Sequence, residues 1–145
     1  MIRELASRAI IKVAGTEKGR FILVDEQIIP RIRTLFDDSI VQIRANAYKA
    51  MINLAEFTYG IDSVIQFNIL SVIIEQLIKE KNQDILILIL ELLKILNEGE
   101  SAAVVVQGTH ILKYLNGHLK SQNPRIRELA AINLGSISYN SIGRE

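Results

Sequence analysis

Cysteine and tryptophan are both absent from this 145-residue chain, and it holds two histidines and two prolines. Without cysteine there is no disulfide framework and no thiolate metal site, and the redox compartment is left open. The histidines, His110 and His118, lie either side of Gly117 with no HExxH pattern and no carboxylate-rich context. Exposed or capping roles are expected for them, and no metal or cofactor. Long apolar runs are missing too. The stretch Ile85 to Leu90 falls far short of a bilayer span, and no signal-peptide pattern opens the chain. Charge of one sign is also lacking. With 17 Lys and Arg against 16 Asp and Glu, the net charge is +1, and bulk electrostatics argue for neither nucleic acid nor an anionic membrane surface. What remains, 49% hydrophobic and 23% charged, is the composition of a globular domain, and an intracellular soluble protein is the expectation.

What the chain does have is self-similarity. "IRELA" occurs at Ile2 to Ala6 and again at Ile126 to Ala130, with "IRANA" at Ile43 to Ala47. A fourth copy is required near residue 85, and Ile85 stands there in "QDILILILELLKIL", where Leu86 replaces the arginine. The steps are 41, 42 and 41 residues, and a constant period of that size marks a repeat architecture. The neighbours follow in register: Ala6, Ala47, Ile89 and Ala130, then Ile10, Met51, Leu93 and Leu134, then Val13, Leu54, Leu96 and Ile137. Those offsets trace one face of a helix. Long helices are therefore predicted near residues 2–14, 40–57, 83–97 and 124–138.

Each unit reads as two shorter helices and one long one. Pro30 suits the first turn of a short helix, "RIRTLF" continues its apolar face through Ile32, Leu35 and Phe36, and "DDS" offers a cap for the long helix that follows. "TYGID" is expected to end that long helix. Gly19, Gly60, Ala102 and Gly143 recur seventeen residues after each repeat's isoleucine, where a glycine with positive φ would turn the chain sharply. A period near 41 fits armadillo and HEAT units, and the small corner residue plus an extra short helix favours armadillo. The expected fold is an all-α, armadillo-repeat right-handed superhelical solenoid: a partial repeat at 1–27, repeats at 28–68 and 69–110, and an incomplete one at 111–145. Both ends cut through a repeat, so the sequence reads as a fragment of a longer array with apolar ends.

No catalytic constellation is evident. Asp37 and Asp38 fall in an inter-helix turn and read as capping carboxylates, and "GTEKGR" lacks the spacing of a phosphate-binding loop. Attention falls instead on the groove that armadillo arrays form along their long helices. One slot, used in peptide-binding members by an asparagine ladder, is filled by Lys12, Asn53, Ile95 and Ser136; the slot one turn earlier holds Arg8, Lys49, Glu91 and Ile132. With one asparagine in four and no tryptophan, a nuclear-import receptor is disfavoured. The third repeat's long helix, apolar on nearly every side, is expected either to be buried all round or to leave an apolar strip for a partner, and contact by Ile95 with a partner is favoured.

Several stretches together resemble a known family. These are Gly19, Arg20 and Phe21 at the corner, Arg44, Asn46, Tyr48, Lys49 and Ala50 opening a long helix, and Asn123, Ile126, Arg127 and Ala130 opening the last one. The pattern is similar to that of the radial spoke head protein fourteen family, armadillo proteins of the ciliary radial spoke. The resemblance implies a non-catalytic scaffold in the axoneme of motile cilia or flagella, bound to other radial spoke proteins, with helical segments of the spoke core in its groove. Nucleic acid and membrane insertion are not implied. The alternative is a general cytosolic adaptor binding a linear peptide motif of a cargo or signalling partner.

Overall fold

The computed structural model describes residues 1–98 and 111–142, and every element among them is helical. In chain order these are α1 (Ile2–Ala14), α2 (Glu17–Asp25), α3 (Ile29–Arg33) continued by a 3-10 turn (Thr34–Asp37), α4 (Val41–Ala55), α5 (Thr58–Gln66), α6 (Ile69–Lys79), α7 (Gln83–Asn97), α8 (Ile111–His118) and α9 (Pro124–Ile142). The four long helices α1, α4, α7 and α9 stand where the repeat places them. Ala102, His110, Gly143 and the short helix expected in "GESAAVVVQGTH" lie outside the described residues. The chain divides into two compact units, Met1–Ile69 and Leu70–Glu145.

In the first unit α4 is the centre. Ile43, Ala47, Ala50, Met51 and Leu54 are buried on it, as are Ile29, Ile32 and Phe36 from α3 and its 3-10 turn. The rings of Phe36 and Tyr48 stack with centroids 4.2 Å apart. Each such aliphatic or aromatic side chain withdrawn from water contributes roughly 1.5–3 kcal/mol, which is what fixes these short elements against the long helix. In the second unit the same role falls to α7, with Ile85, Ile89, Leu90, Leu92, Leu93 and Leu96 buried; so are Ile126, Leu129 and Ala130 of α9 and Ile111 and Leu115 of α8. Burial of α7 is nonetheless incomplete: Ile87, Leu88 and Ile95 keep part of their surface in water.

The repeated arginine has a structural task in two copies. Arg44 Nη1 donates to the carbonyl of Asp38 at 2.9 Å, and Arg127 Nη1 donates to the carbonyls of Ser121 and Gln122 at 2.8 and 3.1 Å. Each reaches back from the start of a long helix to hold the turn before it. Where Leu86 has replaced the arginine, Glu80 accepts from the backbone N–H of Asn82 at 2.8 Å, and Asn82 caps α7 by accepting from Asp84 and Ile85. The cap expected from "DDS" takes a different form. Asp38 accepts from the N–H of Ile40 at 2.9 Å, while the N-cap position itself is Ile40, whose side chain can accept nothing.

Three other expectations are corrected. Gly19 and Gly60 do not take positive φ; they are the third residues of α2 and α5. They must be glycine because a Cβ there would collide with the carbonyl of Val13 or Leu54, standing 2.8 Å from the carbonyl carbon in each case. The left-handed residues are Gln27 (φ 52°) and Asn68 (φ 54°), just past the ends of α2 and α5. "TYGID" does not close a helix with a loop, since α5 begins at Thr58. Finally, Ala6 and Val13 of α1 are exposed and Ile10 is half-buried, whereas Ser7 and Ala14 are buried. The packed side of α1 is the one toward α2 and α4, and among the described residues nothing covers its other side, where Ile2 and Leu5 are also exposed.

Candidate partner-binding surface

A helix that gives one stripe to the core leaves the opposite stripe for a ligand. In the first unit Arg8 and Lys12 on α1 and Lys49 on α4 are exposed, and Asn53 is half-buried. Arg8 pairs with Glu4 one turn earlier at 2.6 Å. In the second unit Glu91 and Ile95 on α7 and Ile132 and Ser136 on α9 are all half-buried. None of the eight slot residues is in the core, although each sits within one or two positions of a buried neighbour such as Ala50, Leu54, Leu92, Leu96, Asn133 or Ile137.

The second unit adds partners that the slots alone do not reveal. Arg125 donates to Glu91 at 3.0 Å and to Glu128 at 2.9 Å, tying α7 to α9 across the outer stripe. Its hydrogen bonds to Glu128 and then Glu91 raise the guanidinium pKa above its ordinary value. Farther along α7 and α9, Ser136 lines a groove of about 420 Å³ together with Asn97, Glu98, Gly135 and Tyr139. The signal for Gly135 was available in the sequence: its register mates are Ile11, Ile52 and Lys94, so a glycine in mid-helix breaks the pattern there.

Beneath both surfaces lie polar pairs that sequence reasoning missed. Asn46 of α4 donates to Ser7 of α1 at 2.9 Å, and Asn97 of α7 donates to Asn133 of α9 at 2.9 Å. The Asn133 amide in turn donates to the carbonyls of Leu90 and Leu129 at 3.0 and 2.9 Å. All four residues are buried. A buried amide demands these partners, so each unit fixes the register between its two long helices by a polar contact as well as by packing. Their signal was also present, since Asn97 stands in the slot of Ala14 and Ala55, and Asn133 in that of Ala9, Ala50 and Leu92.

The Gly19, Arg20 and Phe21 corner is structural. Phe21 meets Phe57 edge-on with centroids 5.1 Å apart, and Arg20 lies 5.8 Å over the Phe57 ring while pairing with Glu56 at 3.5 Å. Tyr59 donates to Asp25 at 3.0 Å, and that bond to a carboxylate raises the phenol pKa. His118, half-buried at the end of α8, has its pKa lowered by burial. Among the described residues no group of three His, Cys, Asp or Glu could hold a metal ion, and no single helix is long and apolar enough to cross a membrane.

No protein-family model and no curated protein matches the sequence. Solved structures do. An engineered protein of known crystal structure superposes with a TM-score of 0.85 at 17% identity, covering 96% of this chain and 57% of its own. A computationally designed armadillo-repeat protein for modular peptide recognition gives 0.84 at 17% identity, over 93% of this chain and 58% of its own. A further designed armadillo-repeat protein gives 0.81, again at 17%, over 94% and 58%. The chain thus spans a little over half the length of these structures. At such low identity the likeness concerns backbone alone, and it is decisive there: this chain has the all-α armadillo-repeat fold.

Proposed function

We propose that this protein is a non-catalytic scaffold that holds segments of other proteins along the outer stripes of its long helices. The observation that carries the reading is that all eight slot residues keep surface in water while each has a buried residue within two positions along its helix. A surface that is accessible, regularly spaced and mounted on rigid helices suits recognition of a chain laid along it. The stripes differ in chemistry between the units. Arg8, Lys12 and Lys49 make the first basic, while Ile95, Ile132 and Glu91 make the second apolar and acidic. An acidic segment suits the first unit's stripe and a largely apolar one the second's, so no ligand of a single charge sign suits both.

The setting we infer is the radial spoke of motile cilia or flagella, with other spoke subunits as partners and helical segments of the spoke core along the groove. The motifs at Gly19 to Phe21, Arg44 to Ala50 and Asn123 to Ala130 support it. A cytosolic adaptor that binds an extended linear motif is the second reading, supported by similarity to scaffolds designed for modular peptide recognition. Affinity capture from isolated axonemes with the purified chain, read by mass spectrometry, separates the two. Recovery of spoke subunits is expected, and recovery of nuclear or junctional partners alone would sink the spoke assignment.

A further inference from the structure

Away from the long helices, the first unit carries an aromatic surface that its own packing leaves open. Phe21 of α2 and Tyr59 of α5 stack with centroids 6.2 Å apart, and both stand against Phe57, at 5.1 and 6.3 Å. Phe57 is half-buried, but Phe21 is 44% and Tyr59 46% exposed. Rings that keep so much area in water add little to folding, and adjoining exposed apolar side chains are a mark of an interaction site. The surface belongs wholly to Met1–Ile69, every residue of which the structure describes.

The charge around these rings is opposite in sign to that of the chain. The stretches Glu17–Glu26 and Glu56–Gln66 hold five carboxylates and two cations, whereas the whole chain is +1. Of the cations, Arg20 is engaged by Glu56 and the Phe57 ring. Of the carboxylates, Asp25 accepts from Tyr59, while Glu17 and Asp62 are exposed and enter none of the ion pairs among the described residues. Glu17 stands one turn before Phe21 and Asp62 one turn after Tyr59, so each carboxylate shares a helix face with a ring. An extended chain laid over the rings would leave its own N–H and C=O groups on apolar surface. A helix brings its backbone bonds with it.

We propose that the Phe21 and Tyr59 surface docks an amphipathic helix of another protein, one with an aliphatic stripe bordered by lysine or arginine. The stripe covers the rings, and the cations at its border reach Glu17 and Asp62, with the ring faces as further attraction. A second copy meeting the same surface would set these carboxylates against their own kind, and an anionic membrane surface would be repelled by them. The surface lies on short helices, so this contact is separate from the stripes of the long ones and stands or falls independently of them.

Two helical peptides of about 18 residues, sharing one leucine stripe and bearing either lysine or glutamate at the remaining positions, test the proposal. Binding to the purified chain is followed by fluorescence anisotropy and by backbone amide shifts. The lysine peptide is expected to bind at least about tenfold more tightly than the glutamate one and to shift Phe21, Tyr59 and Asp62. Glu17→Gln combined with Asp62→Asn should weaken it about fivefold and Phe21→Ser about tenfold, with melting curves checking that each variant is folded. A lysine peptide that shifts only other residues, binds no better than the glutamate one, or is indifferent to the charge variant overturns the site. Shifts of Phe21 and Tyr59 that grow with the concentration of the chain alone would assign the surface to a second copy, and overturn it as well. Either failure leaves the groove reading untouched, since that is followed at Glu91, Ile95 and Ile132.

Discussion

Substituting Gly60 by alanine introduces one methyl group at a point where the chain has no room for it. The new Cβ would overlap the Leu54 carbonyl oxygen and stand 2.8 Å from both the Leu54 carbonyl carbon and Phe57 Cε1. Carbon atoms in contact sit at about 3.5–4.0 Å, so the start of α5 must withdraw by roughly 1 Å from the end of α4. The obstacle is backbone, which cannot rotate aside. Ser63 and Val64, buried one turn farther along α5, are dragged with it. Overpacking of this kind costs typically 1–3 kcal/mol, and the better helix propensity of alanine offsets about 1. A net loss of about 1 kcal/mol, and at most about 2, is expected. Gly135→Ala is the matched control, because among the described residues a Cβ there meets nothing and only the propensity gain remains. Urea titration followed by circular dichroism should show a lower midpoint for Gly60→Ala and a slightly higher one for Gly135→Ala. An unchanged or raised midpoint for Gly60→Ala would refute the steric explanation of the repeated glycine.

Three further outcomes are expected. Ile40→Asn places a capping side chain at an exposed N-cap that already has extended backbone (φ −90°, ψ 115°), copying Asn82 and Asn123, and should stabilise by about 1 kcal/mol in the same titration. Asn133→Ala removes bonds to Asn97 and to two carbonyls in a buried site, and should destabilise by roughly 2–3 kcal/mol. A double-mutant cycle with Asn97→Ala should show coupling, and simple additivity would contradict the shared contact. Burial lowers the pKa of His118, so the folded state resists protonation more than the unfolded chain does. Its contribution is therefore present above the ordinary value near 6.5 and lost as pH falls below it; His118→Gln should flatten the decline in melting temperature between about pH 7 and 5.

The period and the long helices were legible because burial of a helix stripe imposes a spacing on apolar residues that survives in sequence. Mechanism was less legible than position. Gly19 and Gly60 are conspicuous at their offset, but a glycine required by a positive φ and one required by a close carbonyl look identical until the backbone is seen. The same holds for α1, whose apolar Ala6 and Val13 match buried residues in other copies yet face water, because burial depends on what packs alongside. Asn46, Asn97 and Asn133 were passed over since polar residues are read as outward. Their partners are about 36 to 43 positions away, beyond any local pattern. Of the candidate surface, the eight slots came from register alone. Arg125, Glu98 and Tyr139 did not: Glu98 and Tyr139 share one register position with Gly15 and Glu56, and Arg125 shares another with Met1, Gln42 and Asp84, so no recurring residue type marks either.

The sharpest test of the surface is Ile95→Glu, because the same apolar side chain gives opposite results under two accounts. If Ile95 were a core residue, an ionised carboxylate in its place would cost several kcal/mol and the second unit would not fold. In the structure Ile95 is half-buried, while Leu92, Leu93 and Leu96 beside it are fully enclosed. A glutamate there can turn its carboxylate to water. What is lost is part of the burial of one isoleucine, about 1 kcal/mol, plus repulsion from Glu91 four residues before and Glu98 three residues after, roughly 0.2–0.5 kcal/mol each. The sum is about 2 kcal/mol, which lowers the melting temperature without abolishing the fold. If Ile95 contacts a partner, as proposed, binding weakens as well, since an apolar contact has become a charge. Thermal melting set beside capture of partner from axonemes should therefore show a folded protein with weakened binding. Loss of folding would return Ile95 to the core and remove it from the binding surface, and retained folding with unchanged capture would mean that the partner lies elsewhere.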